Sequence, residues 1–490
     1  MDRGFINWRV SARTASSAET GGDFILPNDL PDVKRIVHVM TELRKTGSYI
    51  EDQTLSAEGV ASFTITYSGD DGALHSASYT SELTSRTRLR DGEKADICEI
   101  VFGRSETSVR LANPRKFSVR CRIPVDYTSY IGEEIAPYIT GVQDQGLQYD
   151  EVSAVAYTAG EARETDIPYA EDLHIPESLP EPDRMISYYV VAGIPSVTPS
   201  DGSAEISFRA DVLVVYLTED GVPSSFRSGV DIVHVTQDDA FFADSLCRAS
   251  VTLTDCRCSL TTDKSGDLRT VEVDITYTAD YFIDTPQNVK YIRDMYSTEK
   301  ESSAVYSDVM LRHVSLPYTS HFTVSHEEAS DPLSRAVAAT AEVEKVTVTH
   351  GNGQSICEGI INMYIIEEKN GEYESGTVQT EFRSVIPYDT QGKENRICVA
   401  AGIPSVRTEG GRMYSDCEVY VGVYGETETP VQTVKIFNIS ETPLKKRNAS
   451  LLICRPDGES VWDTAKRYGV PVSSLEAANR DHGKSVRIIP

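Results

Sequence analysis

Cys256-Arg257-Cys258 places two thiols on one face of a strand, and His321 and His326 follow downstream. Thiolate and imidazole are the ligands zinc prefers, but a structural zinc site also needs a second close pair at fixed spacing. The chain has none, so these residues are assigned no metal. Asp70-Asp71 and Glu219-Asp220 offer carboxylates to calcium. Two side chains at a turn fall far short of the six to eight oxygens calcium takes, so both pairs read as solvated hairpin tips. His326-Glu327-Glu328 reads as a solvated turn. No Gly-x-x-x-x-Gly-Lys-Ser/Thr cradle, His-Glu-x-x-His pair or Gly-x-Ser-x-Gly elbow occurs. We therefore expect no catalytic, cofactor-binding or metal-ligating residue, and no enzyme activity. The chemistry left is recognition. Lys466, Arg467 and Arg480 lie in a basic C-terminal stretch, beside Asp481, His482 and Gly483.

The rest of the chain repeats. GVASFTITYSGDDG (59–72), EISFRADVLVVYLTEDG (205–221) and GIINMYIIEEKNG (359–371) end in Gly72, Gly221 and Gly371, which are 149 and 150 residues apart. Each is an apolar, β-branched run stopped at a glycine, the pattern of a strand entering a tight turn. A second marker keeps the period. Leu30-Pro31 with Arg35, Leu179-Pro180 with Arg184, and Pro332 with Arg335 set their arginines 149 and 151 apart. Two markers at one period predict a triple tandem repeat. The three arginines are expected to brace their Pro-containing lead-in segments. A second match, VVAGIPSV (190–197) with VAAGIPSV (399–406), has an offset of 209, and predicts two similar hairpins within each unit.

Alternating apolar residues, frequent turn dipeptides and 25 tyrosines against two tryptophans argue for antiparallel β-structure. Six consecutive apolar residues, Val212 to Leu217, suit a buried strand; no apolar run has the length of a membrane span. The acidic, Tyr-rich stretches 132–160 and 284–308 read as packed connections. MDRGFINWRVSART lacks a signal-peptide core, and most of the nine cysteines sit inside strand-like runs, as in a reducing compartment. A cytoplasmic protein is expected. The formal net charge of −28 repels phosphates, so neither nucleic acid nor an anionic membrane surface is an expected partner. The charge is uneven: residues 441–490 carry nine Lys/Arg and six Asp/Glu, hence +3, leaving −31 on the remainder. That contrast points to an acidic or mixed partner surface for the tail.

Strands ending in Tyr-x-x-x-Asp-Gly, at Tyr67 and Tyr216, with Leu26-Pro27 and Leu30-Pro31 ahead of them, resemble the SPOCS domain of spore-coat morphogenetic proteins. The third unit departs from it, with Glu-Lys-Asn-Gly as its turn. The tail changes character. A strand near Leu451 and Ile453 is followed by a helix with Val461, Ala465 and Tyr468 at i, i+4 and i+7 and by Gly469 as C-cap. Ser473-Ser-Leu-Glu476 reads as a capping box opening a second helix through Asn479, and Val486 to Pro490 as a closing strand. This βααβ order, with Gly458 to Trp462 and the terminal Ile-Ile-Pro, resembles the LysM module. Trp462 and Tyr468, at helical spacing, are read as module core.

The polar, Ser/Thr/Gly-rich residues 1–23 read as a loose leader; the resemblance implies a mainly β chain of three β-sandwich-like SPOCS units (24–145, 146–300, 301–440) and a small α+β LysM module (449–490). It implies two recognition loops, Gly458, Glu459 and Ser460 in the first and Arg480 to Gly483 in a shortened second. Such modules bind N-acetylglucosamine glycans. A SPOCS array ending in one resembles coat-anchoring proteins of the forespore surface, whose module binds the ATPase that polymerises into the coat's basement layer. The expectation is a structural adaptor at the forespore's outer surface, in the mother-cell cytoplasm. Other coat proteins are further expected partners, and a peptidoglycan-binding protein is the alternative.

Overall fold

The computed structural model describes residues 4–140, 146–331, 334–387, 394–445, 452–455, 458–480 and 487–490; Pro332 of the repeated marker lies outside them. The chain is mainly β. Its first part comprises β1 (Phe5–Ile25), β2 (Val33–Glu51), β3 (Thr54–Gly69), β4 (Leu74–Arg88), β5 (Ile97–Phe102), β6 (Glu106–Asn113), β7 (Lys116–Ile135) and β8 (Tyr138–Thr140). There follow β9 (Leu147–His174), β10 (Arg184–Ala192), β11 (Ser196–Ser200), β12 (Ser203–Leu217), β13 (Pro223–Gln237), β14 (Leu246–Thr261) and β15 (Thr270–Ser297). Next come β16 (Lys300–Val314), β17 (Tyr318–Ala329), β18 (Ser334–Gly351), β19 (Gln354–Lys369), β20 (Glu372–Ile386), β21 (Glu394–Ala401), β22 (Ser405–Glu409) and β23 (Arg412–Pro443). The tail adds β24 (Leu452–Cys454), α1 (Val461–Tyr468), α2 (Val472–Ala478) and β25 (Arg487–Ile489).

One plan recurs three times. An antiparallel sheet centred on β3, β12 or β19 faces a second sheet centred on β7, β15 or β23. Between each pair of sheets lies one apolar core. Gly72, Gly221 and Gly371 each take positive φ (80°, 76° and 78°) at the hairpin that leaves the central strand. Tyr67 and Tyr216 occupy matching places on β3 and β12. Each is buried and donates its hydroxyl to the lead-in carbonyl, of Pro31 at 3.3 Å and Pro180 at 2.8 Å.

The apolar run 212–217 is explained by burial on both faces. Val212, Val214 and Tyr216 point into the core of their own sheet pair. Leu213 and Val215 point the other way, into a cluster that takes Val37 and Leu74 from the first part and Val337 and Ile366 from the third. The three sheets thus meet around a shared apolar centre. Polar bonds join every pair of parts there: Thr66 with Tyr189 (3.1 Å), Ser225 to the Val337 carbonyl (2.6 Å), and Thr340 with His38 (2.9 Å). Burial pushes the His38 imidazole down to about 4, so it is neutral at physiological pH.

Three expectations are corrected. Within the expected leader, residues 5–23 are not loose, because β1 pairs with β7 along its whole length. Its Ser/Thr/Gly composition is compatible with a strand: Ala12 and Ala18 face the core while Thr14 and Thr20 bond to Thr87 and Ser81 of β4. The stretches 132–160 and 284–308 are mostly long strands rather than connections. Arg35 approaches Glu374 of the third part instead of a carboxylate of its own, whereas Arg335 pairs with the local Glu368 across β18 and β19 and also donates to the Pro223 carbonyl at 2.7 Å. Arg115 and Arg269 brace the first two lead-in segments, their guanidiniums donating to the carbonyls of Leu30 and Leu179 (both 3.1 Å).

Each AGIPS segment lies between two strands that pair antiparallel with one central strand, β12 or β23. One separates β10 from β11, and the other separates β21 from β22 in a different type of sheet. Their kinks face the neighbouring part: Gly193 abuts the Tyr420 ring, and Ile403 donates its N–H to Asp211 at 3.0 Å. A Cβ on Gly402 would sit 2.3 Å from the Asp211 carboxylate, which is buried. We expect Gly402→Ala to cost about 1–3 kcal/mol, the usual penalty for overpacking. A denaturation midpoint equal to the parent's would overturn this.

Candidate functional site

At the other end of the assembly, matching positions of the three parts converge on charge. Glu99 of β5 sits opposite Thr128, Arg248 of β14 opposite Phe282, and Arg396 of β21 opposite Tyr424. The guanidiniums of Arg248 (2.6 Å) and Arg396 both bind the Glu99 carboxylate. Arg248 also lies between the Phe282 and Tyr424 rings, 4.0 and 3.8 Å from their centroids. Beneath them Arg312, fully buried, donates to Asp284 (2.6 Å), Glu426 (3.0 Å) and the Tyr424 hydroxyl (2.9 Å). Arg13 reaches Glu426 from the first part.

Above this network opens a cavity of about 1110 Å³ lined from all three parts, with Cys98, Cys247 and Cys398 in its wall. Burial pushes the thiols of Cys98 and Cys247 up to about 12, so at neutral pH neither is a thiolate nucleophile. The cavity's cations are engaged with its anions: Arg248 and Arg396 with Glu99, Lys45 and Arg163 with Asp280. The arrangement ties the three parts together; Glu161, also in the wall, has its carboxyl pushed up by burial. Among the described residues no group of three or more His, Cys, Asp or Glu is placed to hold a metal ion.

The tail folds as strand, helix, helix, strand, with β24 antiparallel to β25. Ser460 is the N-cap of α1: its hydroxyl accepts from the Asp463 N–H (3.0 Å), and the Asp463 carboxylate accepts from the Ser460 N–H (3.3 Å). Gly469 closes α1 in the left-handed region at φ 63°. The expected capping box at Ser473 is not formed. Helix α2 starts earlier, at Val472, after Pro471, whose ring presets φ and so fixes the start without a side-chain bond. Asn479 ties α2 to β25, accepting from the Ile488 N–H (2.6 Å) and donating to the Ile488 carbonyl (2.7 Å).

The expected recognition residues are only partly brought together. Gly458 and Ser460 are exposed on the turn into α1. Glu459 pairs with Arg467, and Arg480 is exposed at the end of the second helix segment. Asp481, His482, Gly483 and Lys484 lie outside the described residues. Lys466 is not free for a partner: its ammonium sits 2.7 Å from both oxygens of Asp294, on β15 of the body. Trp462 joins the module core only at its edge; its indole N–H donates to Asp294 (2.8 Å) and its ring meets Tyr296 edge-on at 5.1 Å.

Sequence reasoning missed Asp294, Tyr296 and Tyr306, which lie in the stretch read as a packed connection. Its acidic, tyrosine-rich composition was the available signal. The Tyr306 hydroxyl donates to Asp294 at 2.6 Å, and the Tyr296 hydroxyl to the Val470 carbonyl at 2.7 Å. Burial pushes the Asp294 carboxyl up, but bonds from Lys466, Trp462 and Tyr306 outweigh this and leave it below the usual aspartate range. A depressed carboxylate stabilises the docked state above its undocked pKa, and the gain is lost as pH falls through its docked value. We expect the module to loosen at acid pH below about 4, read as amide exchange in α1 and α2 that rises more steeply with falling pH than the body's does. An equal rise in both would refute it.

Comparison with family models, curated proteins and solved structures returned no match. Among the described residues no helix is long and apolar enough to cross a membrane.

Proposed function

We propose that the chain is a non-enzymatic structural adaptor in endospore coat assembly, working at the forespore's outer surface in the mother-cell cytoplasm. In this reading its terminal LysM-like module binds the ATPase of the coat's basement layer, while the SPOCS-like body carries other coat contacts. One observation carries the reading. A small module packs its core against one body side chain, Tyr296, and is tied to the body further by Asp294, by Gln148 and by the Tyr296 hydroxyl bond to the Val470 carbonyl. A body whose cavity arginines, Arg248 and Arg396, are paired with a carboxylate of another part, Glu99, suits holding parts in place. The short sequence motifs at Tyr67, Tyr216 and Gly458 to Trp462 support the same assignment by resemblance.

The test is co-purification from sporulating cells, with and without residues 449–490. Loss of the coat ATPase on deletion is expected, and an unchanged set of captured proteins would overturn the reading. The exposed turn Gly458 to Ser460 favours one alternative, glycan binding. Pull-down on purified peptidoglycan, competed by soluble oligosaccharide, separates the two.

A further inference from the structure

We propose that the face of the terminal module formed by Trp462, Lys466 and Val470 is its partner-binding surface, now occupied by the body's own Asp294, Tyr296 and Tyr306. The partner then displaces the body with an epitope of the same chemistry, a carboxylate set beside an aromatic ring. This rests on the adaptor reading for the module's role, but the surface itself is tested without any coat protein.

The contact has the composition of an exchangeable interface. Its centre is one tryptophan against one tyrosine, at 5.1 Å. Its polar part is one carboxylate accepting from an indole N–H, an ammonium and a phenol at 2.6–2.8 Å. Further out, the Val472 N–H donates to the Gln148 side chain at 3.2 Å. Tryptophan at the centre of a patch with charge around it is the residue type that dominates binding energy in protein interfaces.

The contact is also open enough to exchange. The Lys466 side chain is 36% exposed and that of Asp294 16%, so water reaches the ion pair. An ion pair in that setting contributes little by itself. What keeps the module closed is Tyr296, buried in the module's core cluster and bonded to the Val470 carbonyl, together with the covalent attachment, which holds the two faces at an effective concentration near the millimolar range. A partner must outcompete that, and the body's strong negative charge adds to its hold on the basic module. Coordination of an acidic–aromatic epitope by a Lys/Trp face is therefore already present in the molecule, with the body as stand-in.

Charge exchange in the full-length chain tests this. Asp294→Lys and Lys466→Asp should each open the module, seen as about tenfold or faster amide exchange in α1 and α2, the loss of roughly 1.4 kcal/mol. Combining the two substitutions in one chain should close it again. Each single variant alone should remain monomeric by light scattering. Mixed, they should form a one-to-one pair, because the module of each then matches the body of the other.

Single variants that stay closed, or that open but do not pair on mixing, overturn the inference, even if the coat ATPase still co-purifies through residues 449–490. Conversely, a pair that forms while no coat protein is ever captured sustains the surface and removes the adaptor reading. A Trp462→Phe substitution in one member should weaken the pair without unfolding the module. Unchanged pairing would remove the tryptophan from the epitope.

Discussion

Arg312→Met lowers the stability of the whole body by about 3–5 kcal/mol, the cost of removing one member of a buried ionic cluster. The argument lies in what remains. Arg312 is fully buried and is the shared counter-charge of Asp284 and Glu426, which are themselves buried. Taking it away removes the one cation that both carboxylates share and leaves Asp284 to Arg248 and Glu426 to Arg13 and Arg396. Chemical denaturation followed by far-ultraviolet circular dichroism measures the loss; a midpoint within error of the parent's would refute it. The triple replacement Arg312→Met, Asp284→Leu, Glu426→Leu should recover most of it, since apolar groups of similar volume often match a buried ion pair.

The pH dependence has a definite sign. Burial pushes the Glu426 carboxyl up, but Arg312, Arg396 and Arg13 outweigh it, so it lies below the usual glutamate range. Its contribution is present above the unfolded pKa, about 4.3, and is lost as pH falls through the folded value. In Arg312→Met the offset shrinks, so the chain should depend less on pH across that acid window than the parent does.

Tyr216→Ala should cost about 3–5 kcal/mol, as for other large aromatic truncations in a core. Tyr216→Phe should cost only about 0.5–1.5 kcal/mol, the net worth of one hydrogen bond. The ring fills the core between two sheets, while the hydroxyl only reaches back to the Pro180 carbonyl. Tyr67 stands in the same relation to Pro31 with a longer bond, 3.3 Å against 2.8 Å. Its Phe variant should therefore lose no more than that of Tyr216. Equal losses for the Ala and Phe variants at either site would mean that the hydroxyl, not the ring, anchors the lead-in segment.

The repeat was legible because its markers are local. Gly72, Gly221 and Gly371 are required by a positive φ at one hairpin, and the strands before them need the same apolar spacing in each part. The ionic core was hidden for the opposite reason. Glu99, Arg248 and Arg396 keep the period, at offsets of 149 and 148, but a cluster can only be neutral if equivalent positions carry opposite charges. Self-similarity therefore vanishes where the three parts meet. The double-sided burial of Val212 to Leu217 was visible as an unbroken apolar run, though not what covered its second face. At the tail, helical spacing gave α1 correctly. That Lys466 and Trp462 turn toward Asp294 depends on a contact 172 and 168 residues away, which no local pattern carries.

The two ends of the body are stapled to each other. Residues Tyr138 to Thr140 of β8 pair in parallel with Ile436 to Asn438 of β23, and Arg13 meets Glu426 across 413 residues. The Val10 N–H donates to Glu428, and Asn7 donates to the Met310 carbonyl, both at 3.1 Å. A ribosome takes roughly 25–100 s to make a chain of this length at about 5–20 residues per second. For most of that time the first part waits with its charged face and its free strand edge unpartnered. An open array could lock in place repeat by repeat; here β23, late in the chain, also closes on the first part, so a message cut short before codon 426 yields a product without the Glu426 carboxylate that Arg13 reaches.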